Sequence, residues 1–241
     1  MRVEKLFEIV HEDADLLVIN KPAGLVCHPT KGDEYSSLIG RIRLHLNGTA
    51  KPHLIHRLDR ETSGIVLAAK NPETAGELGK IWEARTVQKE YLAIVHGHLP
   101  QDHGNIDAAI GADEKSKTYI KDCVREDGTP AQTEYWCEKK FHRDGKDFSL
   151  LRVRPRTGRK HQIRIHLQHI GHSIVGDKIY GGDEDLYLSF VKSNLTEEQS
   201  ARLILPHQAL HARSLSFKFR GEEKTFTSAP EEWFQSFYRQ E

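Results

Sequence analysis

Two kinds of apolar pattern alternate along the chain, and together they predict an α+β fold. Residues 65–69 form a short apolar run rich in β-branched residues, which predicts a buried strand directly after the turn residues Ser63 and Gly64. Further strand patterns cover residues 6–10, 16–19, 89–95 and 148–155. A polar turn separates the first two of these, which predicts a hairpin or two edge strands.

Apolar residues at helical spacing predict the α-helical part of the fold. The predicted helices cover residues 36–46, 71–85, 161–170 and 186–191, a segment capped by Thr196, and a C-terminal segment at residues 233–238. Ser36 or Ser37 is the expected N-cap of the first helix. Asn71 followed by Pro72 marks the start of the second, because proline suits the first helical position.

The stretch between residues 97 and 137 is rich in turn residues and predicts an antiparallel meander. Its short strands are expected near residues 106–110, 117–124 and 131–137. Charged residues such as Glu114, Lys115 and Lys117 are expected to face solvent. We predict no chemistry in this stretch.

Composition narrows the class of protein. The chain has 241 residues, of which 37% are hydrophobic and 29% charged, and the mean hydropathy is −0.60, so we expect a soluble protein with one large domain or two small lobes. No apolar run approaches the ~20 residues needed to cross a bilayer, and residues 1–5 begin no signal segment, so a cytoplasmic location is expected. Three widely spaced cysteines and fifteen scattered histidines suggest neither disulfides nor a metal site.

Charge is balanced overall but unevenly distributed. The formal net charge is zero and the pI about 7.3, which argues against a non-specific nucleic-acid binder. Between residues 152 and 169, however, there are six basic residues and no acid: Arg152, Arg154, Arg156, Arg159, Lys160 and Arg164. Arg159 and Lys160 lie where a helix is predicted to begin, and a helix N-terminus attracts phosphate. The acids cluster elsewhere, at residues 183–185, 222–223 and 231–232, so the sequence predicts a molecule with one basic and one acidic face.

One acid stands between two arginines just before the predicted buried strand. Asp59 lies between Arg57 and Arg60, and the neighbouring cations favour its ionised form. An ionised carboxylate suits a nucleophile better than a general acid. On this local chemistry alone, a solvated surface ion pair is the commoner arrangement.

The residues around Asp59 resemble the signature of the RluA-type pseudouridine synthases. The resemblance rests on residues 56–59 (His-Arg-Leu-Asp) and 62–64 (Thr-Ser-Gly). Lys21, Pro22 and Gly24 with residues 28–29 resemble the family's first motif, which packs under the catalytic loop. Lys89, Tyr91 and Ala93 resemble the second, and residues 156–167 with 171–181 the third. Ser173 departs from the third motif, where proline is usual, and we expect only a local effect.

The resemblance implies a fold, a reaction and roles for particular residues. It implies the pseudouridine synthase fold: a mixed, mostly antiparallel sheet in two lobes, flanked by helices, with a central active-site cleft. Asp59 is then the catalytic residue, Tyr91 lies against the target base and Arg164 pairs with Asp59. Arg57 helps to occupy the position that the flipped uridine vacates. Phosphate contacts are expected from Arg60, Arg156, Arg159 and Lys160.

The same resemblance implies the cofactors, partners and domain organisation. The reaction needs neither a metal ion nor an organic cofactor. The expected partner is RNA, in the form of a stem-loop of ribosomal or transfer RNA, and the expected state is a monomer. We expect a single catalytic domain over residues 1–241, without an N-terminal S4-like domain. Which uridine is modified is left open by the sequence.

Two other classes of function stay open at this point. One is an RNA-binding protein on the same fold that has lost catalysis, against which the joint presence of Asp59, Tyr91 and Arg164 argues. The other is a nucleoside or glycoside hydrolase that uses Asp59 as nucleophile. That reaction normally requires a second carboxyl group, and Glu61 is the nearest candidate in sequence.

Overall fold

The computed structural model describes residues 7–29 and 34–239, with Glu34 described by its backbone alone. Leu6, at the start of the first predicted strand run, lies outside these residues. The strands of the described part are β1 (Glu8–Glu12), β2 (Leu16–Lys21), β3 (His53–Leu54), β4 (Ser63–Ala69), β5 (Gln88–His96), β6 (His103–Asp107), β7 (Ile110–Ala112), β8 (Asp122–Val124), β9 (Gln132–Arg143), β10 (Lys146–Pro155), β11 (Leu210–Phe219) and β12 (Glu222–Thr227). The run at residues 65–69 is therefore a strand, as predicted.

Helices occupy the segments where helical spacing predicts them. They are α1 (Leu38–His45), α2 (Pro72–Glu83), α3 (Gln162–His169), α4 (Glu184–Val191), α5 (Glu197–Leu203) and α6 (Glu232–Tyr238). The predicted caps are confirmed, because the side chains of Ser37, Asn71 and Thr196 each accept a hydrogen bond from a backbone N–H of the first turn. Within the described residues, no helix is long and apolar enough to cross a membrane.

The chain divides into two compact units. Among the described residues, the first contains those up to Glu90 together with His211–Phe237, and the second contains Tyr91–Leu210, Tyr238 and Arg239. The chain passes from the first unit to the second within β5, and it returns within β11. The two units are described separately below.

In the first unit the strands are arranged around β4. β2 pairs with one edge of β4 in antiparallel fashion, and β1 pairs with β2, which confirms the predicted hairpin. β3 and β11 share the other edge of β4, with β3 antiparallel and β11 parallel, and β12 pairs with β11. All seven residues of β4 are buried. Leu78 of α2 packs with Ile65, Leu67 and Phe217 in the core, so α2 covers one face of this sheet.

In the second unit four strands form an antiparallel sheet in the order β5, β10, β9, β6. β7 and β8 form a separate two-stranded ladder. The prediction of a meander over residues 97–137 is wrong, because β6 pairs with β9 across the intervening β7–β8 hairpin. Residues 117–121 are also not a strand. Hydrogen bonds such as that from the Thr118 N–H to Ser116 Oγ, at 2.9 Å, hold them in a loop instead.

Candidate active site

Asp59 lies in a loop between β3 and β4, as the sequence predicts. The N–H of Thr62 donates to the carbonyl oxygen of Asp59 at 3.2 Å, which closes a turn directly before the strand. Asp59 is half-buried, whereas Arg57 and Arg60 are exposed. The neighbouring Leu58 is buried and anchors the loop in the first unit. The anchored loop thus carries one half-buried carboxylate and two exposed guanidinium groups.

The buried side chain of Lys21 links this loop to the residues that follow β2 by hydrogen bonds. The Nζ atom of Lys21 donates to the carbonyl oxygens of Pro22 and Leu25, each at 2.9 Å, and of Arg60 at 3.1 Å. The side chain is fully buried, and this burial lowers the pKa of Lys21 to about 8. Lys21 therefore joins the first motif to the turn that contains Asp59, which agrees with the packing that the resemblance implies.

Cys27 holds the loop on its other side. The Sγ atom of Cys27 lies 3.4 Å from both the backbone nitrogen and the carbonyl oxygen of Leu58. Cys27 is buried, in keeping with the expectation that the cysteines are not in disulfides, and all three are free. The residue before Asp59 is thus fixed at both of its backbone polar groups.

His56, at the start of the signature, ties the loop to β4. The Nε2 atom of His56 accepts a hydrogen bond from the N–H of Leu67 at 3.2 Å, and its ring stacks on Trp82 of α2 at 5.4 Å. Burial lowers the pKa of His56 to about 3, with a smaller contribution from the charge of Lys89. The imidazole is therefore neutral, with its proton on Nδ1.

Ser63 and Gly64, at the end of the signature, join β4 to β11. The Oγ atom of Ser63 lies 2.9 Å from Nδ1 of His211, and Nε2 of His211 lies 3.1 Å from the carbonyl oxygen of Ser228. A carbonyl oxygen can only accept, so Nε2 carries the proton and Ser63 donates to Nδ1. Burial lowers the pKa of His211 to about 4, which is consistent with a neutral ring.

Gly64 is required by the close approach of β4 to β11. Its φ angle is +111°, and a Cβ atom at this position would lie 2.3 Å from the carbonyl oxygen of Ala212. Only glycine fits such a contact. The close approach of β4 to β11 therefore explains why the signature has a glycine five residues after Asp59.

We expect the first unit to lose stability as the pH falls below 6.5, because of His211. The folded pKa of about 4 lies below the usual value of 6.5. The stabilisation is therefore complete above pH 6.5, and it is lost toward pH 4 as the unfolded chain binds the proton. The slope is about 1.4 kcal/mol per pH unit, or roughly 3 kcal/mol over this window. Urea unfolding at several pH values measures it. A His211→Gln variant, which cannot titrate, should have a shallower slope, and an equal slope in both proteins would contradict the assignment.

Tyr91 and α3 lie on the same side of the sheet in the second unit. Tyr91 is half-buried on β5 and pairs in register with Val153 of β10, which in turn pairs with Tyr135 of β9. Residues in register share a face, and so does Thr133, two residues before Tyr135. Nδ1 of His166 in α3 lies 2.9 Å from Oγ1 of Thr133, so α3 packs against this face.

Polar contacts also fix the N-terminal end of α3. The side chain of Gln162 donates to the carbonyl oxygen of Gln132 at 2.8 Å and to Oγ1 of Thr133 at 3.0 Å. Its Oε1 accepts from Oγ1 of Thr157 at 2.7 Å and from the N–H of Arg159 at 3.0 Å. These contacts fix the rotation of α3, and with it the direction of Arg164.

Arg164 forms a buried, bidentate ion pair with Asp177. Its Nε and Nη2 atoms lie 2.7 and 2.8 Å from the two carboxylate oxygens, and its guanidinium lies 5.0 Å from the ring centre of Tyr180. Burial alone would raise the pKa of Asp177, but the charge of Arg164 and two backbone N–H groups lower it overall. Arg164 itself is buried, with 4% of the residue exposed.

We expect Asp177→Asn to destabilise the second unit by about 3–5 kcal/mol, because it removes the buried carboxylate that pairs with the charge of Arg164. Chemical denaturation followed by circular dichroism measures this change. The matched control is Glu138→Gln, which weakens a surface pair with Arg152 at 3.7 Å. That change should alter the free energy of unfolding by less than about 1 kcal/mol. Equal effects of the two variants would argue against a buried pair.

Of the other basic candidates in the second unit, Arg156 and Lys160 are exposed and Arg159 is half-buried. Arg156 pairs with Glu134, and Lys160 pairs with Asp122 at 2.9 Å. The Nε atom of Arg159 donates to a backbone carbonyl oxygen at 3.2 Å. Such exposed pairs are weak and exchange readily for other partners.

The six basic residues between residues 152 and 169 do not form one continuous surface. Arg152 and Arg154 alternate with Val153 along β10, so their side chains lie on the face opposite Tyr91. There the guanidinium groups lie 4.1 and 5.3 Å from the ring centre of Trp136. Arg152 and Arg154 therefore lie on the opposite side of the sheet from α3, the helix that contains Arg164.

The first unit thus contains Asp59, Arg57 and Arg60, and the second contains Tyr91, Arg164, Arg156, Arg159 and Lys160. The pairing of Asp59 with Arg164 stays a prediction. Sequence reasoning missed the role of Asp177, although the signal was present. A buried arginine needs an acid, and Asp177 is the acid in the same motif.

The fold and the candidate site together define a class of protein. It is an α+β protein with two sheet-containing units, and its candidate reactive group is a carboxylate on a loop that is held by contacts with Lys21, Cys27 and His56. A family model described as RNA pseudouridylate synthase matches residues 15–169. The chain belongs to the RNA pseudouridylate synthase family, as its resemblance to the RluA type predicts.

Named relatives agree with this family. The chain is 38% identical over 180 residues to an uncharacterized RNA pseudouridine synthase of Bacillus subtilis, a match that covers 72% of this chain and 57% of the relative. It is 34% identical over 217 residues to a ribosomal large subunit pseudouridine synthase D of Zymomonas mobilis, covering 87% of this chain and 64% of the relative. The chain thus spans less than two thirds of the length of either relative.

A solved structure supports the fold. Human RNA pseudouridylate synthase domain containing 1 has a TM-score of 0.75 and 25% sequence identity, and the match covers 92% of this chain and 83% of that one. The pseudouridine synthase fold predicted from the sequence, with a mixed and mostly antiparallel arrangement of strands, is therefore confirmed.

Proposed function

We propose that this chain isomerises one or more uridines of RNA to pseudouridine, with Asp59 as the catalytic residue. The observation that carries the proposal is the braced loop, in which Lys21, Cys27 and His56 hold the backbone around a half-buried carboxylate. Membership of the RNA pseudouridylate synthase family supports the reaction. A ribosomal large subunit synthase among the relatives favours ribosomal RNA over transfer RNA as the substrate.

The reaction is an isomerisation, so it needs no external reactant. The bond between uracil N1 and the ribose anomeric carbon breaks, the detached uracil rotates, and uracil C5 forms the new bond to the same carbon. The hydrogen on C5 leaves as a proton, while N1 gains one. Asp59 either attacks the anomeric carbon or removes a sugar proton, and both roles require its ionised form. The reaction as written uses no metal ion and no organic cofactor.

Arg164 and Tyr91 complete the proposed catalytic set. Arg164 pairs with Asp59 and holds it ionised and oriented. The ion pair with Asp177 is compatible with this role, because a guanidinium has five N–H donors and that pair uses two of them. Tyr91 lies against the detached base and helps to remove the C5 proton.

RNA binding is assigned to four exposed cations and to the half-buried Arg159. Arg57 helps to fill the position of the flipped uridine, whose removal from the stack costs a few kcal/mol. Arg60, Arg156, Arg159 and Lys160 contact phosphates, which positions the RNA without reading its sequence. The exposed pairs with Glu134 and Asp122 exchange for phosphate at little cost in free energy. We further propose that the chain acts as a monomeric, single catalytic domain on a stem-loop in the cytoplasm.

Pseudouridine mapping tests this proposal. Carbodiimide-dependent stops of reverse transcription are compared in ribosomal and transfer RNA from cells with the gene intact, deleted or restored. We expect one or a few stops to vanish on deletion and to return on restoration. The purified chain, given the affected RNA labelled with tritium at uracil C5, should then release tritium. Unchanged stops would favour an RNA-binding protein without catalysis, and release of free uracil would favour a hydrolase.

A further inference from the structure

The loop between β7 and β8 presents an aromatic side chain to solvent. Tyr119 is fully exposed, and the adjacent Ile120 is also exposed. Among the exposed large apolar side chains of residues 7–29 and 34–239, Tyr119 has the greatest exposure. Such a ring in water forgoes the burial that normally makes tyrosine favourable in a fold. The exposed ring is therefore accessible to a binding partner.

This exposure does not come from a loosely held segment. The N–H of Asp113 donates to the carbonyl oxygen of Lys121 at 3.1 Å, and the N–H of Lys121 donates to that of Thr118 at 2.9 Å. Glu184 of α4 accepts from the Lys117 N–H at 2.9 Å and from Lys121 Nζ at 2.6 Å. Thr118, next to Tyr119, is buried. The loop is braced on both sides of the exposed ring.

The hairpin adjoins the part of the second unit that contains Arg164. Asp122, at the start of β8, pairs with Lys160 at 2.9 Å, and its N–H donates to the hydroxyl of Tyr180 at 3.3 Å. The ring of Tyr180 is the one that lies beneath the guanidinium of Arg164. The side chain of Tyr180 thus contacts both the hairpin and Arg164.

We propose that Tyr119 stacks on an unpaired base of the RNA, outside the target uridine. Every base has a flat π-face, so an exposed aromatic ring binds unpaired bases without regard to sequence. The exposed Lys115 and Lys117 suit the phosphates beside that base. The assignment rests on the proposed function, which supplies RNA as the partner. The proposal also predicts a preference for RNA with unpaired bases, because the bases of a continuous duplex stack on each other and have no free face.

Binding of two labelled RNAs tests the proposal: a stem-loop whose loop consists of uridines, and a fully paired duplex of the same stem sequence. We expect Tyr119→Ala to weaken stem-loop binding about five- to 150-fold, which corresponds to about 1–3 kcal/mol for one stacked base. Tyr119→Phe keeps the ring and should bind like the original chain. Tyr35→Ala removes another exposed tyrosine and should have no effect. Duplex binding should be equal in all four proteins.

Two results would overturn the assignment. One is unchanged stem-loop binding by Tyr119→Ala, which would indicate that the ring binds a protein partner instead of RNA. The other is an equal loss for the stem-loop and the duplex, which would indicate general attraction or misfolding instead of stacking. Thermal unfolding of each variant checks the fold. If the original chain binds through Tyr119 but releases no tritium from any RNA, the proposed function fails and the stacking role stands. If it releases tritium but Tyr119→Ala binds like the original chain, only the stacking role fails.

Discussion

Asp59→Asn is expected to reduce pseudouridine formation by at least about a thousandfold while leaving the protein folded. Asparagine has nearly the same shape as aspartate, but it has neither the negative charge nor the basic oxygen that either route requires. Asp59 is half-buried and lies in a loop whose backbone is held by Lys21 and Cys27, so the change should leave that loop in place. Tritium release from RNA labelled at uracil C5 measures the rate.

The matched control for this variant is Glu61→Gln, two residues away in the same turn. Glu61 is 8% exposed, so its replacement tests the effect of another acidic side chain at the same loop. An isomerase that uses Asp59 alone should keep most of its rate in this variant. A two-carboxyl hydrolase should lose its activity equally with either change, because its acid and its nucleophile are both required. Equal losses accompanied by free uracil would therefore contradict the proposed reaction.

Gly64→Ala is expected to destabilise the first unit by more than about 4 kcal/mol, or to prevent its folding. The added methyl group would lie 2.3 Å from the carbonyl oxygen of Ala212 and 2.6 Å from its nitrogen, and these are backbone atoms of a paired strand that cannot move aside as a side chain could. The φ angle of +111° adds strain for any residue with a Cβ atom. The parallel pairing of β4 with β11 would have to separate. Urea unfolding and the yield of soluble protein measure the effect.

The control is the same chemical change in a helix. Gly76 lies in α2 and is exposed, and a methyl group added to it would have no neighbouring atom within 4 Å among the described residues outside the helix's own backbone. Gly76→Ala should therefore stabilise the unit by about 0.5–1 kcal/mol, since alanine favours the helix and restricts the unfolded chain. Similar stability changes in the two variants would mean that the close approach at Gly64 is not what makes glycine necessary.

Local signals in the sequence predicted much of the secondary structure. The run at residues 65–69 specifies a buried strand because β4 has neighbours on both edges and a helix on one face. Asn71 and Pro72 mark a helix start because capping depends only on residues within one turn. The resemblance of the segment at Asp59 then predicted the family.

Long-range partners were harder to predict. The family resemblance implied a pair of Arg164 with Asp59, and its pair with Asp177 was not predicted, because the chain between Arg164 and Asp177 must fold before they meet. Thr118, Tyr119 and Ile120 are residue types common in strands, yet contacts with Glu184, more than sixty residues away, hold this segment as a loop. The roles of Tyr91, Arg57 and the phosphate contacts stay predictions.

The return of the chain to the first unit within β11 has a consequence for synthesis. His211 and Ala212, which hold Ser63 and Gly64, are translated almost 150 residues after them. Until the ribosome has released residues 211–237, the strand behind Asp59 has only part of its partners on that edge. Contacts this distant in sequence form late and slow the folding of a domain. The support of the aspartate loop is therefore completed only near the end of synthesis, so a nascent chain should gain a fully supported loop after its second unit has emerged.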